Sequence, residues 1–166
     1  LLDMKSTIAA MRGLTYRNAE ALDHAHHGAD EDARTKGEER AALLTPLSKS
    51  WCTDMGVELA SIGVQIHGGM GFVEETGAAQ HFRDARIAPI YEGTNGIQAL
   101  DLAGRKLGAH FGRYLRSFFH PVSAFIEANV SNPDAVEFVP DLAKTFGWLQ
   151  QASGQIAQSG MKDAEE

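Results

Sequence analysis

Two glycine-rich turns, set between long helical segments, restrict the possible folds of this chain more than any other feature. The turns are HGGMG at 67–71 and EGTNG at 92–96. Glycine lets a backbone adopt positive φ or approach a ligand closely. Turns held by rigid helices are frequent locations of binding and catalytic residues. We therefore expect residues 65–98 to carry the functional site, with the carboxylate of Glu92 at the start of the second turn.

Apolar residues on both sides of these turns recur at spacings of three and four, which predicts helices. Helices are expected at 3–27 and 38–64, and the polar run at 26–37 is expected to end the first helix and form an exposed connector. Pro46 lies inside the second helix, which we expect to continue through it with a kink. Beyond the first glycine turn, the pattern predicts a short helix at 77–86.

Residues 87–91 are expected to form an extended linker, because a proline disfavours helical backbone in the residue before it. A long helix is predicted at 94–119, with Thr94 as its N-cap. Its apolar stripe has alternating spacings of three and four, as in helical bundles. The stripe consists of Ile97, Leu100, Gly104, Leu107, Phe111, Tyr114 and Phe118.

Pro121 is expected to break or bend this helix before a shorter segment at 122–129. A last amphipathic helix is predicted at 134–158, followed by a frayed polar tail at 160–166. No stretch has the alternating pattern of a strand. The predicted fold class is therefore all-α, an up-and-down bundle of long helices.

Composition restricts the partners. Lys and Arg number 15 and Asp and Glu 22, so the formal net charge is −7, which argues against nucleic acid. No apolar run approaches the roughly 20 residues that a membrane-spanning helix needs, so no membrane partner is expected. Cys52 is the only cysteine. We expect it to be a buried, inert thiol, and a cytoplasmic location is predicted.

Three histidines lie close together near the end of the first predicted helix. His24, His26 and His27 could form a metal cluster or a solvated helix end, where cationic histidine suits the helix dipole. The second interpretation is favoured, because no carboxylate or further histidine stands at a convincing ligand spacing. No metal site is predicted.

Three blocks of the central stretch resemble the C-terminal helical domain of the acyl-CoA dehydrogenases, flavoenzymes that introduce an α,β double bond into acyl-CoA thioesters. The blocks are QIHGGMGF at 65–72, RDARI at 83–87 and IYEGTNGIQ at 90–98, in the family's order. The resemblance covers residues 1–120. Residues 121–166 look like the start of a C-terminal extension, as in the branch that includes enzymes for methylthiopropionyl-CoA-like substrates.

The resemblance implies roles for individual residues. Glu92 would remove the α-proton of the substrate while the flavin N5 of FAD takes the β-hydride, and Tyr91 and Gly93 would lie at the substrate. Residues implied to contact the flavin are Thr94, Asn95 and Gly96. Residues implied at the adenosine and pyrophosphate of the FAD of a neighbouring subunit are Gln65, Ile66, His67, Gly68 and Gly69.

A site shared between subunits implies a homodimer or homotetramer, and the family's electrons pass to an electron-transfer flavoprotein. The family's N-terminal helical domain and middle β-domain are not in this sequence, so we expect a fragment that is inactive by itself. Without the resemblance, Glu92 could be an ordinary carboxylate near a helix N-terminus and residues 65–71 a helix-end turn. The alternatives are a non-catalytic helical assembly module and an acyl-CoA oxidase-type relative.

Overall fold

The computed structural model describes the backbone of residues 1–162 and the side chains of residues 1–159. Regular structure in this part is entirely helical, which confirms the all-α prediction. The helices are α1 (Leu2–His27), α2 (Glu31–Ile66), α3 (Gly69–Phe72), α4 (Ala78–Ile87), α5 (Asn95–Leu100), α6 (Ala109–Asn129) and α7 (Val139–Lys162). A 3₁₀ turn occupies Glu74–Thr76 and a π-helical turn Asp101–Lys106. Most of the tail predicted at 160–166 lies outside the described residues.

The chain divides into two compact units. The first is Leu1–Asp101 and the second begins at Leu102. The predicted domain boundary at residue 120 is a boundary of family resemblance and not of compactness, so it stays a prediction.

Helices α1 and α2 form an antiparallel hairpin, in which Asn18 faces Thr45 and the Cys52 thiol faces the carbonyl of Met11. Their backbones are closest at Gly37, where an added Cβ would lie 2.4 Å from the nitrogen of Ala25. Only hydrogen fits in this space, so glycine permits the close approach of the two helices.

Helix α2 begins at Glu31, so the prediction of a connector reaching Gly37 is wrong. The connector is residues 28–30. Asp30 caps the helix, because its carboxylate accepts a hydrogen bond from the Ala33 N–H at 2.8 Å. Two ion pairs support the first turns, Glu31–Arg34 and Asp32–Lys36. The polar character of this run reflects a solvated helix start.

The core of the first unit lies between α1 and α2 and includes Ala21, Leu43 and Leu44. Pro46 is fully buried inside α2, and the helix continues through it as predicted. Helix α4 packs against α2 and buries Ala78 and Ala79.

The linker predicted as extended is instead a hydrogen-bonded turn. Ala88 has helical angles, φ −59° and ψ −38°, although Pro89 follows it. The N–H groups of Ile90 and Tyr91 both donate to the carbonyl of Ile87, at 2.9 and 3.2 Å. These local bonds override the preference of a pre-proline residue for extended backbone.

The single helix predicted at 94–119 is also wrong. Helix α5 ends at Leu100, and a π-helical turn follows. At the start of α6, His110, Phe111 and Gly112 have left-handed φ values of 49°, 57° and 73°. Three glycines lie where the helix is interrupted, namely Gly104, Gly108 and Gly112. Each is about 1 kcal/mol less favourable than alanine in a helix. Phe111 is 95% exposed, so no packing compensates at this position.

In the second unit, α6 runs through Pro121 to Asn129, so the helix is not broken there, and the alternative of a bend stays a prediction. Helix α7 begins at Val139 rather than at residue 134, after a series of turns. The two helices pack through an edge-to-face contact of Phe119 with Phe146, whose ring centroids are 5.2 Å apart.

Candidate active site

The second glycine turn connects α4 to α5 and is closed by one backbone hydrogen bond. The Asn95 N–H donates to the Pro89 carbonyl at 3.1 Å. Inside the closed loop, Glu92 has φ 52° and Gly93 has φ 83°. A non-glycine residue in this region costs about 1–3 kcal/mol and persists only where its surroundings enforce it. The exposed carboxylate of Glu92 is thus carried on a strained turn.

The side chain of Asn95 attaches this turn to the middle of α2. Its amide oxygen accepts hydrogen bonds from Lys49 Nζ at 2.9 Å and Thr53 Oγ1 at 3.3 Å. Its amide nitrogen donates to the Ser50 carbonyl at 3.1 Å and to Asp54 Oδ1 at 2.7 Å. Both ends of the amide are therefore engaged by α2.

The start of α5 leaves unused donors near Glu92. Thr94 Oγ1 accepts from the Ile97 N–H at 3.3 Å, as expected of an N-cap. The N–H groups of Gly93, Thr94 and Gly96 have no hydrogen-bond partner within the described residues. Exposed N–H groups of this kind suit an electron-rich group such as a thioester carbonyl or a flavin carbonyl.

Gly93 also meets a close neighbour. An added Cβ would lie 2.7 Å from Nε2 of Gln98, and the positive φ disfavours any other residue. Tyr91, on the other side of Glu92, is 51% exposed. The turn therefore exposes three consecutive groups, the ring of Tyr91, the carboxylate of Glu92 and the backbone of Gly93.

The first glycine turn ends α2 and has a different character. His67 is the C-cap, with Nδ1 2.8 Å from the Gly63 carbonyl, and Gly68 has φ 58°. An added Cβ at Gly68 or Gly69 would meet nothing within 4 Å. All residues predicted at the FAD adenosine and pyrophosphate are exposed: Gln65, Ile66, His67, Gly68 and Gly69. This open backbone has room for an extended polar group such as a dinucleotide.

The two turns do not form one pocket in a single chain. Asn95 contacts α2 at residues 49–54, whereas the first turn follows Ile66. From Asp54 to Gln65, the rise of an α-helix gives about 16 Å along the axis. The structure thus groups Tyr91 to Gly96 together and keeps Gln65 to Gly69 apart from them.

Sequence reasoning missed the α2 residues that hold the second turn, namely Lys49, Ser50, Thr53 and Asp54. A signal existed. These polar residues cluster on α2 at helical spacings, in a segment whose other face supplies the core. Polar residues grouped in this way on a packed helix indicate an internal polar contact.

The remaining candidates show no chemistry of their own. Cys52 is half-buried, and burial raises the pKa of its thiol, as expected of an inert cysteine. The three histidines are exposed at the end of α1. In residues 1–162, no three His, Cys, Asp or Glu side chains are grouped to bind a metal ion. No helix in the same range is long and apolar enough to cross a bilayer.

Comparison with known proteins identifies the family. The family described as "Acyl-CoA dehydrogenase, C-terminal domain" matches residues 1–107. The 3-methylmercaptopropionyl-CoA dehydrogenase of Ruegeria pomeroyi is 52% identical over 124 residues, which cover 75% of this chain and 21% of that protein. A butyryl-CoA dehydrogenase of Syntrophomonas wolfei is 35% identical over 139 residues, covering 83% and 23%.

The human mitochondrial short-chain specific acyl-CoA dehydrogenase is 34% identical over 110 residues, covering 66% of this chain and 24% of that protein. The matched region thus spans between a fifth and a quarter of the length of these curated relatives. The match of residues 1–107 covers more than half of the chain, and with it the turns that carry Gly68 and Glu92. The chain belongs to the acyl-CoA dehydrogenase family, and residues 1–107 match its C-terminal domain.

Proposed function

We propose that this chain is part of an FAD-dependent acyl-CoA dehydrogenase that forms an α,β double bond in an acyl-CoA thioester. The observation that carries the proposal is Glu92, an exposed carboxylate at φ 52° on a turn attached to α2. Strained non-glycine residues of this kind concentrate at functional sites. The activity belongs to the full-length protein, of which this chain supplies one domain.

In this mechanism Glu92 acts as the general base. The α-proton of a thioester is weakly acidic, so its removal needs a carboxylate held against the α-carbon. Glu92 takes this proton, and the unused N–H groups of Gly93 and Thr94 are available to the thioester carbonyl. Such donors stabilise the negative charge that develops on the carbonyl oxygen. Bound FAD supplies the acceptor of the hydride that leaves the β-carbon.

Residues of both turns would hold FAD. Thr94, Asn95 and Gly96 would lie at the flavin, where Asn95 contributes backbone because its side chain is engaged by α2. Residues 65–69 would contact the adenosine and pyrophosphate of a partner subunit's FAD. The separation of the two turns along α2, about 16 Å, supports a site built from two subunits.

A homodimer or homotetramer follows from this arrangement. Apolar side chains surround the first turn and are exposed in the single chain, including Ile66, Met70 and Phe72, the last at 83%. Contiguous exposed apolar groups are typical of interaction surfaces. The same proposal includes an electron-transfer flavoprotein as the electron acceptor and a cytoplasmic location.

For the substrate, we propose 3-methylmercaptopropionyl-CoA or a short acyl-CoA of similar size. The relatives compared above are named for that thioester, for butyryl-CoA or for short-chain substrates. Most residues that would line the acyl pocket are not among residues 1–166. The proposed substrate therefore rests on the relatives.

The test uses the full-length holoenzyme under anaerobic conditions. Mixed with a panel of acyl-CoAs, it should lose oxidised-flavin absorbance fastest with the preferred thioester. Glu92→Gln keeps the size and polarity of the side chain but removes the base, so flavin reduction should fall about 10²–10⁴-fold. Reduction at the wild-type rate would remove Glu92 from the mechanism. Rapid reoxidation of the reduced enzyme by oxygen would favour an oxidase.

A further inference from the structure

The second glycine turn is held to the rest of the first unit by one side chain. Among the described residues, every side-chain hydrogen bond from residues 88–96 to α2 is made by Asn95. The backbone N–H of the same residue closes the loop on Pro89. Glu92 itself makes no such contact within the described residues, so its location depends on Asn95.

The bonds of Asn95 are matched to the polarity of its amide. The ammonium of Lys49 faces the amide oxygen at 2.9 Å, and the carboxylate of Asp54 faces the amide nitrogen at 2.7 Å. Hydrogen bonds to charged groups are roughly twice as strong as those between neutral groups. Lys49 is half-buried, which limits competition from water.

A cation and an anion on one rigid helix also fix the orientation of the amide. Lys49 and Asp54 lie on α2, which is continuous from Glu31 to Ile66. A rotated amide would direct its NH₂ group at the ammonium and its oxygen at the carboxylate, and both contacts would be repulsive. Only one orientation of the amide satisfies both ends.

We propose that Asn95 is a positioning residue that holds Glu92 in its strained conformation through Lys49 and Asp54, which we call the Asn95 clamp. This inference rests on the proposed function of Glu92. Without the clamp, the turn loses its attachment to α2 and Glu92 relaxes from φ 52° toward ordinary backbone angles. The carboxylate then moves away from the α-carbon, and a displacement of about 1 Å can cost on the order of 100-fold in rate.

The first experiment replaces Asn95 in the full-length holoenzyme. For Asn95→Ala we expect flavin reduction at saturating acyl-CoA to fall about 10- to 100-fold. The FAD content and the dissociation constant for acyl-CoA should change little, so the loss falls on the rate and not on binding. The matched control is Asn18→Ala, which removes the bonds of another asparagine to α2, at Thr45, where α1 packs on α2. This control should reduce at the wild-type rate.

A second experiment exchanges the two ends of one bond. Asn95→Asp places two carboxylates at the 2.7 Å contact with residue 54 and should reduce flavin slowly. Adding Asp54→Asn supplies an amide donor to the new carboxylate and leaves Lys49 its acceptor. The new carboxylate cannot donate to the Ser50 carbonyl, so the double variant should recover part of the rate and reduce flavin faster than Asn95→Asp. A residue that matters only for global stability would show no such recovery of rate. Where Asn95→Ala gives no folded holoenzyme, this exchange decides the question.

The outcomes separate the clamp from the chemistry of Glu92. A wild-type rate in Asn95→Ala, or an exchange variant that binds FAD but is no faster than Asn95→Asp, overturns the clamp. If Glu92→Gln abolishes reduction while Asn95→Ala does not, only the clamp is wrong. If Glu92→Gln reduces flavin normally, the proposed function fails first.

Discussion

The two glycine turns of this chain are alike in composition and opposite in construction. The second turn is attached by the Asn95 side chain to the middle of α2 and holds Glu92 at a positive φ. The first turn ends α2, and an added Cβ at Gly68 or Gly69 would meet nothing within 4 Å. One turn is determined by contacts within the chain, whereas the other is an exposed backbone beside apolar side chains.

This difference indicates that glycine serves two purposes in one domain. At Gly93 it permits a φ and a close contact with Gln98 that a larger residue cannot share. At Gly68 and Gly69 it leaves the backbone uncovered. Under the proposed function, the second turn places a reacting carboxylate and needs internal support, whereas the first turn contacts a cofactor and needs access.

The largest expected effect comes from adding a side chain to the supported turn. In Gly93→Ala the methyl group would lie 2.7 Å from Nε2 of Gln98, and alanine resists φ 83°. The end of the Gln98 side chain can move aside, but the strain at φ 83° acts on the backbone directly beside Glu92. Flavin reduction in the full-length holoenzyme should therefore fall on the order of 100-fold.

The control for this change is Gly13→Ala in α1, where an added Cβ meets nothing within 4 Å. Alanine is favoured over glycine in a helix interior, so this variant should keep the wild-type rate and gain about 0.5–1 kcal/mol of stability. A wild-type rate in Gly93→Ala would show that the second turn tolerates deformation. The two turns would then not differ in how strictly their backbone conformation is required.

The next prediction tests whether the packing of α3 against the end of α2 supports the first turn. Gly71 is buried in α3, and a Cβ there would lie 2.1 Å from the carbonyl oxygen of Val64. In Gly71→Ala, α3 must move off the end of α2, at a cost of about 1–3 kcal/mol. Amide hydrogen exchange of residues 65–72 in the full-length protein should become faster.

Gly56→Ala is the matched control, because it lies in α2 with nothing within 4 Å of an added Cβ. Its exchange rates at residues 65–72 should equal those of the wild type. Wild-type exchange rates at residues 65–72 in Gly71→Ala would mean that the packing of α3 on α2 does not support the first turn.

The parts of this structure that were predictable from sequence are those with a local cause. The periodicity of α1, the continuity of α2 through Pro46 and the N-cap at Thr94 depend on residues within a few positions of each other. The first turn of α2 had a local signal in Asp30, whose role was hidden by the polar run around it. Glu92 was found through resemblance to a family, and its role stays a prediction.

The parts that sequence reasoning missed depend on distant contacts or on competing backbone states. Asn95 and Lys49 meet only because α2 and the second turn pack together. The polar cluster on α2 indicates an internal contact, but it does not identify Asn95 as the partner. The helix expected at 94–119 has a regular apolar stripe, yet it is interrupted where Gly104, Gly108 and Gly112 lower helix propensity. Periodicity describes which face can be buried, but it does not reveal whether the backbone stays helical.

The smallest expected effect distinguishes the two supports of the second turn, the Thr94 cap of α5 and the bonds of Asn95 to α2. Thr94→Ala removes the acceptor of the Ile97 N–H and should destabilise the start of α5 by about 1 kcal/mol. Amide exchange at Ile97 in the full-length protein should then be roughly fivefold faster. Thr94→Ser keeps the hydroxyl and should exchange like the wild type.

Flavin reduction should change much less in Thr94→Ala than in Asn95→Ala, because the cap supports α5 whereas Asn95 attaches the turn itself to α2. Equal losses in both variants would assign the location of Glu92 to the start of α5 as a whole. A larger loss in Thr94→Ala would reverse the order of the two supports, since a hydrogen bond at 3.3 Å to an exposed cap would then outweigh the charged contacts of Asn95.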